Sequence, residues 1–193
     1  MQARLAANDL ACRRGERLLF RGVGFACEAG ETIHVAGPNG IGKSSLIRIL
    51  AGLLRPFAGS VERSGGLGLV DDRLALDENL PLGKALAFWA ELDGSRGMDD
   101  ALELLALDAL RDVPVRFLST GQRKRAALAR LLNRRAPIWL LDEPLNGLDD
   151  QACRNFETLI ARHCDEGGLA VIASHQPIAL TRARTIALAE FAA

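Results

Sequence analysis

Apolar positions follow two rhythms along the chain. Ile33-His-Val-Ala is a short β-type run ending at Gly37, and Leu46, Ile47, Leu50 and Leu54 then repeat at helical spacing from Ser44 to Leu54. Arg55-Pro56 stops that helix. Val61 to Val70, interrupted by Gly65-Gly66, predicts a hairpin or strand pair. From Leu74 to Arg135 Leu and Ala dominate, and Gly94 to Gly97 and Val113 to Val115 punctuate predicted helices. Ile138-Trp-Leu-Leu returns to strand character. Asp150 to Arg162 predicts a helix, Leu169 to Ala173 a strand, and Pro177 the opening of another helix. The region up to Ala29 is expected to supply antiparallel strands. The outline is an α/β core over 1–72 and 136–193, with a helical subdomain inserted over about 73–135, in a single domain over 1–193.

Composition fits that outline. The 193 residues carry 24 basic and 24 acidic side chains and are 49% hydrophobic, which excludes disorder and leaves ample core for one domain. Zero net charge gives no bulk attraction toward nucleic acid or anionic lipid. The longest uncharged stretch, Gly167 to Thr181, contains His175 and Pro177 and is too short and polar to cross a bilayer. The first residues hold Asp9 and four Arg where a signal peptide needs an apolar run, so a cytosolic protein is expected. Cys12, Cys27, Cys153 and Cys164 show no zinc-ligand spacing and read as reduced, mostly buried thiols.

The candidate chemistry lies at strand ends. Gly37-Pro38-Asn39-Gly40-Ile41-Gly42-Lys43-Ser44 satisfies G-x-x-x-x-G-K-[ST] between an apolar strand and an apolar-periodic helix, the context a phosphate cradle requires. Glycines let backbone N–H groups curl around a polyphosphate, and the following helix aims its unpaired N–H groups at the same anion. Lys43 can reach the β- and γ-phosphates, and the Ser44 hydroxyl can ligate Mg²⁺. Pro137-Ile-Trp-Leu-Leu-Asp142-Glu143-Pro144 is an apolar strand ending in two carboxylates. Strand alternation turns them apart, so Asp142 can serve the Mg²⁺ sphere while Glu143 orients and deprotonates a water. His175, in Val-Ile-Ala-Ser-His-Gln-Pro, ends a third strand, where an imidazole can sense a terminal phosphate. His34 and His163 read as structural.

Leu118-Ser119-Thr120-Gly121-Gln122 opens a helix continuing Arg-Lys-Arg. The ordered set GPNGIGKSS, LSTGQ, WLLDEP, NGLD and SHQ resembles the ATP-binding subunits of ABC transporters over almost the whole chain. That resemblance implies a P-loop NTPase of ABC-ATPase type, with a mostly parallel core sheet, an N-terminal antiparallel β part and an inserted helical subdomain. It implies ATP and Mg²⁺, with Gly37 to Ser45 around the phosphates. Ser119 and Gly121 would bind the γ-phosphate of ATP held by a second copy, and Asp149 would lie at the seam of that ATP-sandwiched homodimer. Within the family the closest resemblance is to the heme-exporter subunits of cytochrome c maturation, carried by the short length, Arg14-Gly-Glu-Arg-Leu-Leu-Phe, Asp-Glu-Pro-Leu-Asn-Gly-Leu-Asp and Ser-His-Gln-Pro. It implies integral membrane permease subunits as partners and a peripheral place on the cytoplasmic face of a bacterial inner membrane.

Three positions depart from the family pattern. The Gln that usually ends the strand before the helical insert is missing; Leu69-Val-Asp-Asp-Arg stands there, and Asp72 or Asp71 is expected to substitute at the metal. The aromatic that usually stacks on adenine is absent, leaving Arg14 to stack its guanidinium or lie exposed. Thr120 replaces a small residue of the signature. The alternatives are a transporter subunit for another cargo, a soluble ABC ATPase acting on nucleic acid, and a small-molecule kinase. Arg116, Arg123, Lys124, Arg125, Arg130, Arg134 and Arg135 could meet phosphate, but at zero net charge they read as a solvated helix face. LSTGQ and the paired strand-end carboxylates argue against the kinase.

Overall fold

A computed structural model describes residues 2–95, 98–180 and 182–192. Eleven residues of β1 (Arg4–Arg14) pair antiparallel with β2 (Arg17–Glu28) and, on the other edge, with β4 (Ala58–Ser64). A second sheet holds β3 (Thr32–Ala36), β5 (Leu67–Val70), β6 (Ile138–Asp142), β7 (Leu169–Ser174) and β8 (Ala183–Ala187) in the order β5-β6-β7-β3-β8, with every pairing parallel. Between β5 and β6 the named elements are helices: α2 (Leu82–Leu92), α3 (Met98–Leu104), α4 (Thr120–Arg134) and two short 3-10 turns.

The parallel sheet is covered on both faces, so β6 and β7 are buried along their whole length. Alternation then sorts their side chains. Ile138 and Leu140 join β1, β2 and α1 (Lys43–Leu50) in one core, while Trp139 and Leu141 join α2, α4 and α5 (Asp150–Asp165) in the other. Asp142, next in the Ile138 series, therefore ends β6 on the α1 side.

Four expectations need correction. Helix α1 ends at Leu50 rather than Leu54, because Gly52 turns left-handed (φ 77°) and Arg63 donates to the free carbonyls of Leu50 and Ala51 at 3.3 and 2.8 Å. The 61–70 segment is no hairpin: β4 lies in the antiparallel sheet and β5 in the parallel one. Gly68 allows β5 to meet α4, since a Cβ there would overlap the Leu131 side chain. Pro177 opens no helix among the described residues. Tertiary contacts hold the segment instead: Ser174 Oγ accepts from Gln176 N–H (3.0 Å), Glu157 accepts from Ala179 N–H (2.8 Å), and Ile178 and Leu180 pack against the core that α4 and α5 share. The basic stretch is a solvated face only in part: Arg116, Arg134 and Arg135 are exposed, but Lys124 is buried. Arg123 pairs with Glu78, Arg125 donates to Leu105 and Ala106 carbonyls, and Arg130 lies 3.8 Å over the Trp89 ring. The break expected at Gly94 to Gly97 lies partly outside the described residues.

Candidate active site

The cradle bends through three left-handed glycines, Gly37, Gly40 and Gly42. Gly42 is doubly constrained, because φ is 116° and a Cβ would press on the Phe20 ring at 3.1 Å. Strand β2 thus sets the floor on which α1 starts. Pro38, Asn39 and Gly40 are exposed, while Lys43 is buried. Its ammonium donates to the carbonyls of Gly37 (2.8 Å) and Pro38 (3.2 Å) and lies 3.0 Å from Glu143 Oε1.

Glu143 reaches that cation by a backbone turn. Its N–H extends the β6–β7 ladder to the Ala173 carbonyl, and φ then swings to 47°. Alternation alone did not predict this left-handed step. Glu143 Oε2 meets His175 Nδ1 at 2.8 Å, beyond the end of β7. Burial alone would push the Glu143 carboxyl up, but Lys43 and His175 outweigh it and hold it below the usual carboxylate range. A carboxylate ionised at neutral pH, gripped from both sides, is what a water-orienting base requires.

Asp142 is the opposite case. It is 1% exposed, and among the described residues neither carboxylate oxygen has a hydrogen-bond partner. Burial pushes its pKa up, with the neighbouring Ser44 hydroxyl opposing that and Asp72 and Glu143 adding to it. A buried, unpaired carboxylate facing a hydroxyl is costly unless a cation joins it. Ser44 and Asp142 therefore fit Mg²⁺.

Other expected residues sit elsewhere. Ser119 caps α4 in a reciprocal box: its Oγ accepts from Gln122 N–H (3.3 Å), and Gln122 Oε1 accepts from Ser119 N–H (2.8 Å). The Ser119 O–H is still available to donate. Gly121 lies against the 146–149 loop, where a Cβ would overlap the Gly147 carbonyl oxygen. Asp149 caps α5, accepting from Ala152 N–H at 2.8 Å. Among the described residues, no hydrogen bond or ion pair joins Ser119, Gly121 or Asp149 to Lys43 or Ser44. Arg14 is exposed at the tip of the β1–β2 hairpin, and Ser45 lies beside Cys12. A cavity of about 470 Å³ opens away from the cradle, at the N-terminal ends of β6 and β7, lined by Pro137, Trp139, His163 and Gly168.

The order of these elements decides the family. A profile described as ABC transporter matches residues 20–146, from the strand under the cradle to the loop after Glu143. The chain belongs to the ABC transporter family. Among its relatives, a cytochrome c biogenesis ATP-binding export protein from Novosphingobium aromaticivorans is 60% identical over 97% of this chain and 96% of that protein. Its counterpart from Zymomonas mobilis is 52% identical over 99% and 87%. In fold the chain resembles an ATP-binding cassette solved as a post-hydrolysis dimer bound to ADP and Pi (TM-score 0.77, 21% identity, 89% of this chain and 88% of that one).

In this ABC transporter chain, sequence reasoning missed Lys124, Gln122 and Gly147. Lys124 is buried although it lies in a basic run. Its signal was spacing: Lys124, Leu128 and Leu131 share one helical face, and the two leucines mark that face as inward. The S-x-x-Q box around Gln122 was equally legible.

Proposed function

We propose that the chain is the ATP-binding and ATP-hydrolysing subunit of an exporter serving cytochrome c biogenesis, with heme handled by its membrane partners. The observation that carries the ATPase is the run Lys43–Glu143–His175 beside the unpaired Asp142. The cargo class comes from the relatives, since this domain's motifs read nucleotide. Lys43 moves from the Gly37 and Pro38 carbonyls to the terminal phosphates, which release Glu143. Glu143 then orients a water and takes its proton, while His175 holds the carboxylate in register and meets the γ-phosphate. Ser44 and Asp142 would hold Mg²⁺, which would supply charge neutralisation at the phosphates. Arg14, exposed at the hairpin tip, stacks its guanidinium on adenine in this reading.

Ser119, Gly121 and Asp149 act across a two-fold homodimer. The support is geometric: the α4 N-terminus presents its dipole and a hydroxyl donor, yet among the described residues no hydrogen bond joins it to its own cradle. No helix among the described residues is long and apolar enough to cross a membrane. Attachment to the cytoplasmic face of the inner membrane is therefore through permease subunits, and exposed Phe88, Leu92 and Phe117 on the helical part suit such a contact. Arg123, Arg125 and Arg130 of α4 make contacts within the chain, which favours this reading over one acting on nucleic acid.

The test is phosphate release from ATP by the purified chain, light scattering with a non-cleavable analogue, and recovery of membrane proteins bound to it. Free phosphate without a phosphorylated acceptor, an analogue-dependent dimer and co-purifying integral subunits are expected. Stimulation by nucleic acid, or protomers that remain single at saturating analogue with the membrane subunits present, would overturn the proposal.

A further inference from the structure

Two adjacent carboxylates after β5 reach in different directions. Asp71 lies 3.7 Å from the Arg48 guanidinium of α1, the helix that begins at the phosphate cradle. Its Oδ1 also accepts from Arg73 N–H at 3.0 Å, which fixes the turn. Asp72 lies 3.4 Å from the Lys124 ammonium of α4, the helix that begins at LSTGQ. That ammonium also donates to the Asp142 backbone carbonyl at 3.4 Å. The Lys124 side chain is 10% exposed and that of Asp72 is 73% exposed, so a buried cation is anchored by a carboxylate at the surface. Two turns further along α4, Leu131 packs on Gly68 of β5, so strand and helix run side by side from that contact to the ion pair.

We infer that Asp71 and Asp72 form a two-armed clamp tying α1 and α4 to the metal-binding end of β6, with Lys124 the positioning residue for Asp142. The inference rests on the reading that Ser44 and Asp142 hold the divalent cation. Charge decides the design. Asp72 places a second negative group near Asp142, and Lys124 cancels it while holding the end of β6 by its main chain. Asp72 thus serves as the partner of Lys124 rather than as a metal ligand.

The two single removals have opposite signs. Asp72→Asn leaves the buried ammonium unopposed beside Asp142 and repels a divalent ion. Lys124→Gln leaves the carboxylate unopposed and attracts one. The measurement is Mn²⁺ binding by electron paramagnetic resonance, on the full chain saturated with a non-cleavable ATP analogue. Asp72→Asn is expected to weaken Mn²⁺ about two- to tenfold and Lys124→Gln to tighten it by a similar factor, the range of a partly exposed charge pair acting on a divalent ion. Lys124→Arg keeps the wild-type value, and the double variant returns to within about twofold of it. Singles that move together or not at all, or a double that stays displaced, overturn the inference. Asp72 is exposed, so Asp72→Asn folds and decides the sign even where Lys124→Gln does not. A wild-type chain that binds no Mn²⁺ overturns the Ser44–Asp142 metal reading and this inference with it, whereas normal wild-type binding with unmoved variants overturns this inference alone.

Discussion

Replacing Glu143 by Gln separates two jobs that one carboxylate performs. The amide keeps the size, the position after β6 and a hydrogen bond to His175, but removes the charge that holds Lys43. The ammonium and Glu143 Oε1 are 3.0 Å apart, with side chains 5% and 13% exposed. At an effective dielectric near 20 that separation carries about 5 kcal/mol of gross attraction. Much of it offsets the desolvation of both groups, so the net hold on Lys43 is about 1–2 kcal/mol. Nucleotide must displace that hold before Lys43 can serve the phosphates. Glu143→Gln is therefore expected to bind ATP roughly five- to thirtyfold more tightly than wild type, at about 1.4 kcal/mol per tenfold. Turnover should fall by about 10²–10⁴, the usual contribution of a general base.

The assay is a fluorescent-nucleotide titration at protein concentrations where the chain is monomeric, alongside phosphate release. Working with monomers matters, because a stalled dimer would also retain ATP. Unchanged or weaker affinity in the monomer would refute the restraint on Lys43, and near-normal turnover would refute the role of Glu143 as base.

Three further outcomes follow from the same geometry. Asp142→Asn removes a buried charge that no hydrogen bond satisfies among the described residues, so melting in EDTA should rise by about 2–6 °C, for about 1–2 kcal/mol, while Mg²⁺-dependent turnover is lost; a lower Tm would show that Asp142 is satisfied without metal. Gly121→Ala drives a Cβ into the Gly147 carbonyl, costing about 1–3 kcal/mol and shifting the start of α4, so turnover should drop at least tenfold with ATP binding retained; equal losses in both would refute the separation of cradle and signature. His163 stacks on Trp139 at 3.7 Å between centroids, and burial holds its pKa below the ordinary 6.5, so its contribution is complete above that value and fades as pH falls through it. Thermal melts from pH 7.5 to 5.5 should show His163→Gln starting about 1 kcal/mol less stable yet losing less on acidification, and parallel curves would refute the assignment.

What the chain revealed in advance was local, and what it hid was pairing at a distance. The cradle was legible because G-x-x-x-x-G-K-S must be contiguous to wrap one anion, and Asp142 because a run buried on both faces that stops at a carboxylate exposes its own end. Lys43, Glu143 and His175 follow three separate strands, and only the order β6-β7-β3 brings Lys43 and His175 to the two oxygens of Glu143, at 3.0 and 2.8 Å. The split of 58–70 between two sheets was hidden for the same reason, since each strand's pattern says that it pairs but not with which partner. Helical signals after Pro177 lost to tertiary contacts, since Glu157 of α5 holds the Ala179 N–H and Ile178 and Leu180 pack on the core. The basic run misled because charge was read as exposure, whereas Lys124 and Arg130 carry long apolar stems that cross buried ground to reach a carbonyl and a ring. Position on the helix outranks residue type there: the face shared by Lys124, Leu128 and Leu131 points inward, and a lysine on it must find a partner. Lys124 finds two, the Asp142 backbone carbonyl and the Asp72 carboxylate at the surface.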